Sequence, residues 1–360
     1  MTGKLRIAVL FGGRSAEHEV SLMSARNVVA ALDRSRYEIV PIGIAKDGRW
    51  LLVELENGEL PPAIPAEGTQ VALIPGGKGR AVTIAADGTQ GLLPAVDLIF
   101  PVLHGPFGED GTVQGYAETA DVAYVGCGVA ASAVAMDKAL AKRLLAAEGL
   151  SVARAIALHQ GDGYSGETIL EMLGLPVFVK PARQGSSVGV SRVDSLEGLA
   201  AALDEAFRHD DKVLIEEFVQ AREIECSVLE DAKGGITVSR PGEIIPAESH
   251  GFYSYDAKYV DAGGAIVKAP ADLAEEVSAQ AQEMAERAFR ALACAGMARV
   301  DFFLRPDGSL VINEINTIPG FTNISMYAKA LAADGISYGT AVETLIAHAL
   351  ELRGTQAQRP

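Results

Sequence analysis

The first hundred residues alternate between apolar runs and an amphipathic segment. Residues 5–11 form an apolar run, Gly12 and Gly13 follow as a turn, residues 15–32 predict a helix, and residues 37–45 predict a second strand. Strand, helix and strand in this order are typical of the start of an α/β sheet. Residues 46–95 are less regular and resemble an insertion with short strands, after which the run VDLIFPVLHG predicts another buried strand.

The rest of the chain predicts two further units with mixed α+β character. The second contains the strand LPVFVKP, the loop ARQGSSVGV and the strand VLIEEFV; the third contains several strands, a helix at about 272–295 and the hairpin ARVDFFLRPDGSLVINEIN. A chain of 360 residues is too long for one core of ordinary size, which supports division into domains. We predict domains at 1–132, 133–216 and 217–352, and a disordered tail at 353–360 because that segment has little to pack.

Composition excludes some classes of partner and indicates the cellular compartment. The formal net charge of −16 argues against nucleic acid or an anionic membrane as partner, since both require a basic surface. Cys127, Cys226 and Cys294 are too far apart for a CxxC pair and odd in number, which favours free thiols in a reducing compartment. No run approaches the roughly 20 apolar residues that span a bilayer. We therefore expect a soluble cytoplasmic protein.

The hairpin near the C-terminus predicts a metal site. A two-residue turn at Asp307 and Gly308 would pair residues whose numbers sum to 615, so that Asp301 faces Glu314 and Arg299 faces Asn316 on one side of the hairpin. Two facing carboxylates repel unless a cation lies between them. Oxygen ligands without His or Cys point to Mg²⁺ or Mn²⁺. The alternative is an exposed edge hairpin whose charges face water, but the apolar residues on both faces argue against it.

The sequence lacks GxxxxGK[ST] and GxGxxG, which argues against a P-loop and weakens a dinucleotide site. Instead, the segment 184–190 is rich in small residues that let backbone N–H groups approach phosphate, and Lys180 precedes it. Lys138 is a second candidate cation. Glu216 and Glu223 frame Phe218 and Val219, a candidate adenine and ribose rim. Each feature taken alone is more typical of an ordinary turn or a solvated surface.

The segment 250–264 has no apolar period but is rich in tyrosine and glycine. A reactive intermediate needs protection from water, and a long loop of this kind is a candidate lid. A merely disordered surface loop would be expected to contain fewer aromatic residues.

Seven motifs along the chain, in conserved order, resemble the D-alanine:D-alanine ligase family. They are FGGRSAEHEVS, HGPFGEDGTVQG, SAVAMDK, KPARQGSSVGV, FYSYDAKY, ARVDFF and NEINTIPGFTNISM, and the resemblance as a whole runs from residue 5 to about residue 352. The resemblance implies a three-domain ATP-grasp architecture, α/β and α+β, with an N-terminal Rossmann-like parallel sheet and ATP held between the other two domains. It also implies a homodimer that makes a precursor of peptidoglycan.

The resemblance assigns roles to individual residues. The ATP ligands would be Lys138, Lys180, Glu216, Val219, Glu223 and Lys258, and the ligands of two Mg²⁺ or Mn²⁺ would be Asp301, Glu314 and Asn316. Glu17 would bind the amino group of the first D-alanine, His104 would line its site, and Ser325 would bind the carboxylate of the second. Glu17, Ser186 and Tyr259 would form a hydrogen-bonded triad, and Arg299 with the backbone N–H of Gly320 would stabilise the tetrahedral intermediate.

The implied reaction passes through an acyl phosphate of the first D-alanine, which the amine of the second then attacks. Two alternatives remain at this level. The first is the same chemistry with D-lactate as acceptor, against which the retained Tyr259 argues, because depsipeptide-forming members replace that tyrosine. The second is an inactive ATP-binding regulator, which the complete set of expected ligands disfavours.

Overall fold

The computed structural model describes residues 3–246 and 265–357. The predicted lid at 250–264, with Lys258 and Tyr259, lies outside the described residues. Helices in the described part, numbered in chain order, are α1 His18–Ala31, α2 Thr112–Thr119, α3 Val129–Met136, α4 Lys138–Ala147, α5 Gly166–Leu173, α6 Leu196–Phe207, α7 Glu275–Ala291, α8 Met326–Ala333 and α9 Tyr338–Ala357.

The N-terminal sheet has a parallel half and an antiparallel half. Its strands are β1 Leu5–Gly12, β2 Tyr37–Ile44, β3 Trp50–Leu52, β4 Gln70–Leu73, β5 Ala81–Ile84, β6 Gln90–Leu93, β7 Leu98–Val102 and β8 Ala123–Tyr124, in the order β6-β5-β4-β3-β2-β1-β7-β8. Strands β2, β1, β7 and β8 are parallel, and β1 and β7 are almost wholly apolar because both of their faces are covered. The irregular segment 46–95 supplies β3 to β6, which extend the sheet antiparallel from β2.

The central sheet is small and antiparallel. It consists of β9 Ala155–His159, β10 Val177–Pro181, β11 Ser191–Val193 and β12 Lys212–Glu217, in the order β11-β10-β12-β9. Helices α5 and α6 pack on one face of it and form a separate hydrophobic core with its strands. The opposite face is thereby left to contribute polar side chains to a cavity.

The C-terminal sheet carries the predicted hairpin. Its strands are β13 Arg222–Glu230, β14 Ile236–Val238, β15 Gly242–Pro246, β16 Ala265–Lys268, β17 Met297–Leu304 and β18 Leu310–Asn316, in the order β16-β15-β13-β17-β18 with β14 paired to β13. Helix α7 covers one face, and α3 and α4 join the same core through Ala135, Ala141 and Leu145. The first residue of α4, Lys138, is therefore held close to this sheet.

The N-terminal and C-terminal parts of the chain share one hydrophobic core. Phe11 and Phe100 of the first sheet belong to the same cluster as Phe321, Leu345 and Ile346 near the end of the chain. The boundaries at 132 and 216 remain predictions; the shared core means that the first and third predicted domains pack as neighbours without a polar gap between these residues.

Helix α9 continues five residues into the segment predicted to be disordered, so that prediction is wrong for residues 353–357. The cause is tertiary: the buried face of the helix packs against the first sheet, and Arg353 forms an ion pair with Asp121. Within residues 3–246 and 265–357, no helix combines the length and apolarity needed to cross a bilayer.

Candidate active site

A cavity of about 490 Å³ lies between the central and C-terminal sheets. All of the predicted nucleotide ligands within the described chain line it, namely Lys138, Lys180, Glu216, Val219 and Glu223. Phe178 and Phe303 contribute apolar surface from the two facing sheets. An apolar slot with cations at one end suits a planar base attached to a polyphosphate.

The carboxylate of Glu216 is buried between two lysines. It forms ion pairs with Lys180 of the neighbouring strand and with Lys142 of α4. Burial alone would raise the pKa of Glu216, but the two ammonium groups outweigh it and lower the pKa below its ordinary value. Burial, with the charge of Lys180, lowers the pKa of Lys142 despite Glu216. Sequence reasoning missed Lys142, although it lies one helical turn after Lys138 and therefore on the same helix face.

The glycine-rich loop at 184–190 is held in an unusual backbone conformation. Ser186 and Ser187 have φ angles of 51° and 60°, a left-handed region that residues other than glycine rarely adopt. At the start of the loop, Asp210 accepts hydrogen bonds from the backbone N–H of Arg183, at 2.7 Å, and from its guanidinium. Lys138 donates to the carbonyl oxygen of Gln184 at 2.7 Å. The loop thus presents its backbone to the cavity beside two lysines.

Lys138 is positioned by a helix cap. Asp137 accepts hydrogen bonds from the N–H groups of Ala139, at 3.1 Å, and Leu140, at 3.0 Å, which fixes the start of α4. The ammonium of Lys138 also lies 3.5 Å from the carboxylate of Glu314 on β18. Lys138 therefore connects the glycine-rich loop to the hairpin.

A second cavity, of about 430 Å³, adjoins the first. Most of the remaining predicted residues line it: Glu17, His104, Ser186, Arg299, Asn316, Gly320 and Ser325. Lys138, Ser186 and Glu314 line both cavities, so they mark the point where the two spaces meet. Asp301 lines neither cavity, and both of its carboxylate oxygens accept hydrogen bonds from Arg299.

Glu17 is buried at the start of α1 and meets the glycine-rich loop. Its carboxylate accepts a hydrogen bond from the hydroxyl of Ser186, so two members of the predicted triad are in contact. A Cβ at Gly185 or Gly105 would lie 2.7 Å or 2.8 Å from Glu17 Oε2, and Gly105 has a φ angle of 73°. A side chain at either position would therefore displace the Glu17 carboxylate, and at Gly105 it would also be strained by the positive φ angle.

The predicted facing pairs of the hairpin are confirmed, but the predicted turn is wrong. Asp301 faces Glu314 and Arg299 faces Asn316. At the tip, however, Arg305 N–H bonds to Ser309, which encloses three residues rather than two, with Gly308 at a φ angle of 85°. A bulge between Asp301 and Phe302 shifts the register back by one residue before the site is reached.

Arg299 separates two acidic side chains. Its guanidinium donates to both oxygens of Asp301, each at 2.7 Å, and its Nε lies 2.9 Å from Glu225 on β13. Burial would lower the pKa of Arg299, but the two carboxylates raise it well above its ordinary value. Asn316 donates to Asp301 at 3.0 Å. Glu225 was missed by the sequence analysis; it faces Asp301 across β13 and β17.

The hairpin offers the donor chemistry that a divalent cation requires. Glu314 and Asn316 line the second cavity, and Asp301 faces Glu314 from the neighbouring strand, so the hairpin carries carboxylate and amide oxygens of the kind that suit Mg²⁺ or Mn²⁺. In the described chain, no group of three or more His, Cys, Asp or Glu side chains is gathered for a metal. A site here would therefore depend on the amide of Asn316 and on oxygens from bound phosphate, as is usual for Mg²⁺.

Two further groups in the second cavity have shifted pKa values. Burial, aided by the charge of Glu17, raises the pKa of Glu109 to about 8. Burial lowers the pKa of His104, although Glu17 opposes this, so the ring is neutral near pH 7. Glu109 belongs to the HGPFGEDG motif but was not selected from sequence, because nothing in the spacing distinguishes it from the adjacent Asp110.

Two antiparallel sheets that enclose a lysine-rich cavity, beside an α/β domain that contributes a second cavity, define the ATP-grasp class of enzymes. Family models for the N-terminus and the C-terminus of D-Ala D-Ala ligase match residues 6–127 and 144–347. A D-alanine–D-alanine ligase A from Mesorhizobium japonicum is 61% identical over 353 residues, 97% of this chain and 98% of that protein. The chain therefore belongs to the D-alanine–D-alanine ligase family.

Solved structures agree with this assignment. The D-alanine-D-alanine ligase of Coxiella burnetii superposes with a TM-score of 0.86 at 36% identity, covering 99% of this chain and 96% of that one. The VanG D-Ala:D-Ser ligase of Enterococcus faecalis superposes with a TM-score of 0.81 at 35% identity, covering 96% and 100%. The three-domain ATP-grasp fold class expected from the sequence is confirmed.

Proposed function

We propose that the protein joins two molecules of D-alanine into D-alanyl-D-alanine for peptidoglycan precursor synthesis, with conversion of ATP to ADP and phosphate. The observation that carries the proposal is the junction of the two cavities at Lys138, Ser186 and Glu314. A nucleotide in the first cavity would direct its terminal phosphate toward this junction, where a carboxylate in the second cavity can attack it.

In the first step, the carboxylate of one D-alanine attacks the γ-phosphate, the bond between the β- and γ-phosphates breaks, and an acyl phosphate and ADP result. The buried carboxylate of Glu17 supports a role in binding the ammonium group of this substrate. Lys138 and Lys180 would neutralise charge on the phosphates, which is the main contribution that proteins make to phosphoryl transfer.

In the second step, the amine of the other D-alanine, having lost its proton, attacks the acyl carbon and phosphate leaves. Arg299 and the N–H of Gly320 are our candidates for stabilising the oxyanion, and both line the second cavity. Ser325 immediately precedes α8 as its N-cap, and its Oγ lies 3.2 Å from the position a Cβ would take at Gly320. This proximity supports Ser325 as the group that receives the acceptor's carboxylate.

Two divalent cations, Mg²⁺ or Mn²⁺, are proposed to bind at Asp301, Glu314 and Asn316. When bound, they would supply positive charge to the transferring phosphoryl group. The oxygen-only chemistry of the three side chains supports the assignment. Residues 250–264 remain our candidate lid, with Lys258 near the phosphates and Tyr259 as third member of the triad with Glu17 and Ser186.

We further propose a cytoplasmic homodimer. Cys127, Cys226 and Cys294 are buried free thiols, as suits a reducing compartment. Val129, Leu140 and Leu144 are large apolar side chains exposed on the adjacent helices α3 and α4, which supports an interface there. Light scattering on the purified protein, with Leu144→Glu as the interface variant, tests the assembly. A monomeric wild type would refute it.

The central test is phosphate release and product analysis with ATP, Mg²⁺ and D-alanine, with D-lactate and D-serine offered as competing acceptors. We expect D-alanyl-D-alanine as the main product near neutral pH. Mainly D-alanyl-D-lactate or D-alanyl-D-serine would change the acceptor but keep the ligase chemistry. ATP binding without D-alanine-dependent phosphate release would indicate the inactive regulator instead.

A further inference from the structure

The segment 317–325, here called the acceptor loop, links β18 to α8 and carries both Gly320 and Ser325. Its backbone is tied to the N-terminal part of the chain on both sides of Gly320. His104 lies 2.9 Å from the carbonyl oxygen of Ile318, and the N–H of Phe321 donates to Ser24 Oγ at 3.2 Å. Ser24 and His104 are themselves 3.3 Å apart.

The chemistry of the partners determines which atom donates in each of these hydrogen bonds. A carbonyl oxygen only accepts, so His104 Nδ1 must carry the proton that bonds to Ile318. Because burial keeps the ring neutral, Nε2 is then an acceptor. Ser24 Oγ already accepts from Phe321, and its hydroxyl proton is directed to His104 Nε2. Phe321 N–H therefore donates to Ser24, Ser24 donates to His104, and His104 donates to the carbonyl oxygen of Ile318.

We propose that Ser24 and His104 are positioning residues that fix the acceptor loop, with His104 held as the Nδ1–H tautomer. This deepens the proposed function and rests on it. Both ring nitrogens of His104 are engaged by the protein, so the ring contributes to the substrate cavity as a wall and a loop support rather than as a hydrogen-bonding group for substrate.

Neighbouring contacts show why this support acts on the acceptor position. Ile318 N–H donates to Glu109 at 3.2 Å, and the hydroxyl of Tyr338 donates to the carbonyl oxygen of Phe321 at 2.7 Å. The backbones of Ile318 and Phe321 are therefore each bonded through both their N–H and C=O groups. Gly320, between them, carries the N–H proposed to meet the oxyanion, and an error of about 1 Å in such a group costs up to about a hundredfold in rate.

The tautomer can be measured directly on the full-length wild type without substrates. Selective ¹⁵N labelling of histidine gives signals for the six histidines, and the pair lost in His104→Gln belongs to His104. We expect His104 to show a protonated Nδ1 and an unprotonated Nε2 at pH 7, and Ser24→Ala to shift the Nε2 signal. A protonated Nε2, or rapid exchange between tautomers, would overturn the proposal.

Kinetics of Ser24→Ala test the functional part. Because both substrates are D-alanine, rates must be measured over a concentration range wide enough to resolve two saturation constants. We expect kcat divided by the acceptor constant to fall roughly tenfold, equivalent to one buried hydrogen bond, while the donor constant and the KM for ATP change less than about twofold.

Ser21→Ala is the matched control. Ser21 lies one turn before Ser24 on α1 and is equally buried, but its Oγ bonds to the backbone of Gly12 and Val102 and not to the acceptor loop. It should lower the thermal midpoint to a similar extent and leave both D-alanine constants unchanged. Equal kinetic effects of the two variants would mean that Ser24 has a general structural role, which contradicts the proposal. If the wild type lacks ligase activity, the proposed function fails, while the NMR result still decides the tautomer.

Discussion

Replacement of Lys142 by methionine separates the electrostatic role of this lysine from its packing. Methionine has a similar length and no charge, so Lys142→Met should keep the buried volume on α4. In the wild type, Glu216 is flanked by Lys142 and Lys180. In the variant, Glu216 keeps Lys180 but loses the positive charge of Lys142.

Lys142→Met should reduce both the stability of the fold and the affinity for ATP. Removing one partner of a buried ion pair costs about 3–5 kcal/mol, and we expect about 3 kcal/mol for folding because Glu216 keeps Lys180. When nucleotide binds, we expect Lys180 to leave Glu216 and contact the phosphates. Without Lys142, this movement leaves the buried carboxylate of Glu216 with no counterion. The cost is about 2 kcal/mol, which corresponds to a roughly thirtyfold higher Kd for ATP.

The assay is isothermal titration with a nonhydrolysable ATP analogue, alongside urea unfolding. Lys212→Met is the matched control, since Lys212 forms a buried pair with Asp137 at 2.8 Å and does not line either cavity. We expect Asp137 to keep its bonds to the N–H groups of Ala139 and Leu140 in this variant, so that Lys138 stays in place. Both variants should lose comparable stability, but only Lys142→Met should weaken nucleotide binding strongly. Equal Kd values for the two variants would refute the view that Lys142 frees Lys180 for the nucleotide.

Three other changes have expected outcomes. Burial raises the pKa of Glu109 from an ordinary 4.5 to about 8, so the folded protein keeps a proton on Glu109 that the unfolded chain releases. The free energy of unfolding should therefore fall by up to about 1.4 kcal/mol per pH unit between pH 5 and 8. Glu109→Gln should remove that dependence on pH in urea titrations. Hydrogen bonds from Arg183 and from backbone N–H groups outweigh burial and lower the pKa of Asp210 below its ordinary 3.8. The ionised carboxylate therefore stabilises the fold, and this contribution is lost as the pH falls. The stability lost in Asp210→Asn should be constant above pH 5 and shrink as the pH falls below about 4. Glu314→Gln should abolish most phosphate release and weaken Mg²⁺ dependence with an unchanged circular dichroism spectrum; wild-type turnover would contradict the proposed metal site.

Local pattern was enough to predict the strands and the relative placement of the acidic residues. The hairpin shows both the strength and the limit of such reasoning. Asp301 and Glu314 face each other as the spacing predicts, yet the turn encloses three residues and a bulge restores the register. Turn type and bulge depend on packing of the surrounding strands, which a local pattern does not contain.

Features that depend on distant parts of the chain were missed. Residues 353–357 looked disordered because their partners, including Asp121, lie more than 200 positions away. Lys142 had a detectable signal in its spacing from Lys138, but its partner Glu216 is on another element. The contacts of His104 with Ser24 and Ile318 require three segments to meet, and only the folded structure brings them together.

The core shared by the two ends of the chain has a consequence for biosynthesis. Residues of β1 and β7 are made early, but Leu345 and Ile346 of α9, which complete their hydrophobic cluster, are made more than 240 residues after β7. The N-terminal sheet therefore carries an unfinished apolar face during most of translation, and contacts of such long sequence separation form slowly. The central sheet, whose core is made by contiguous residues, can fold as soon as it is synthesised. We expect the packing of α9 to be a late step of folding, so that deletion of residues 341–360 would destabilise the first domain more than the second.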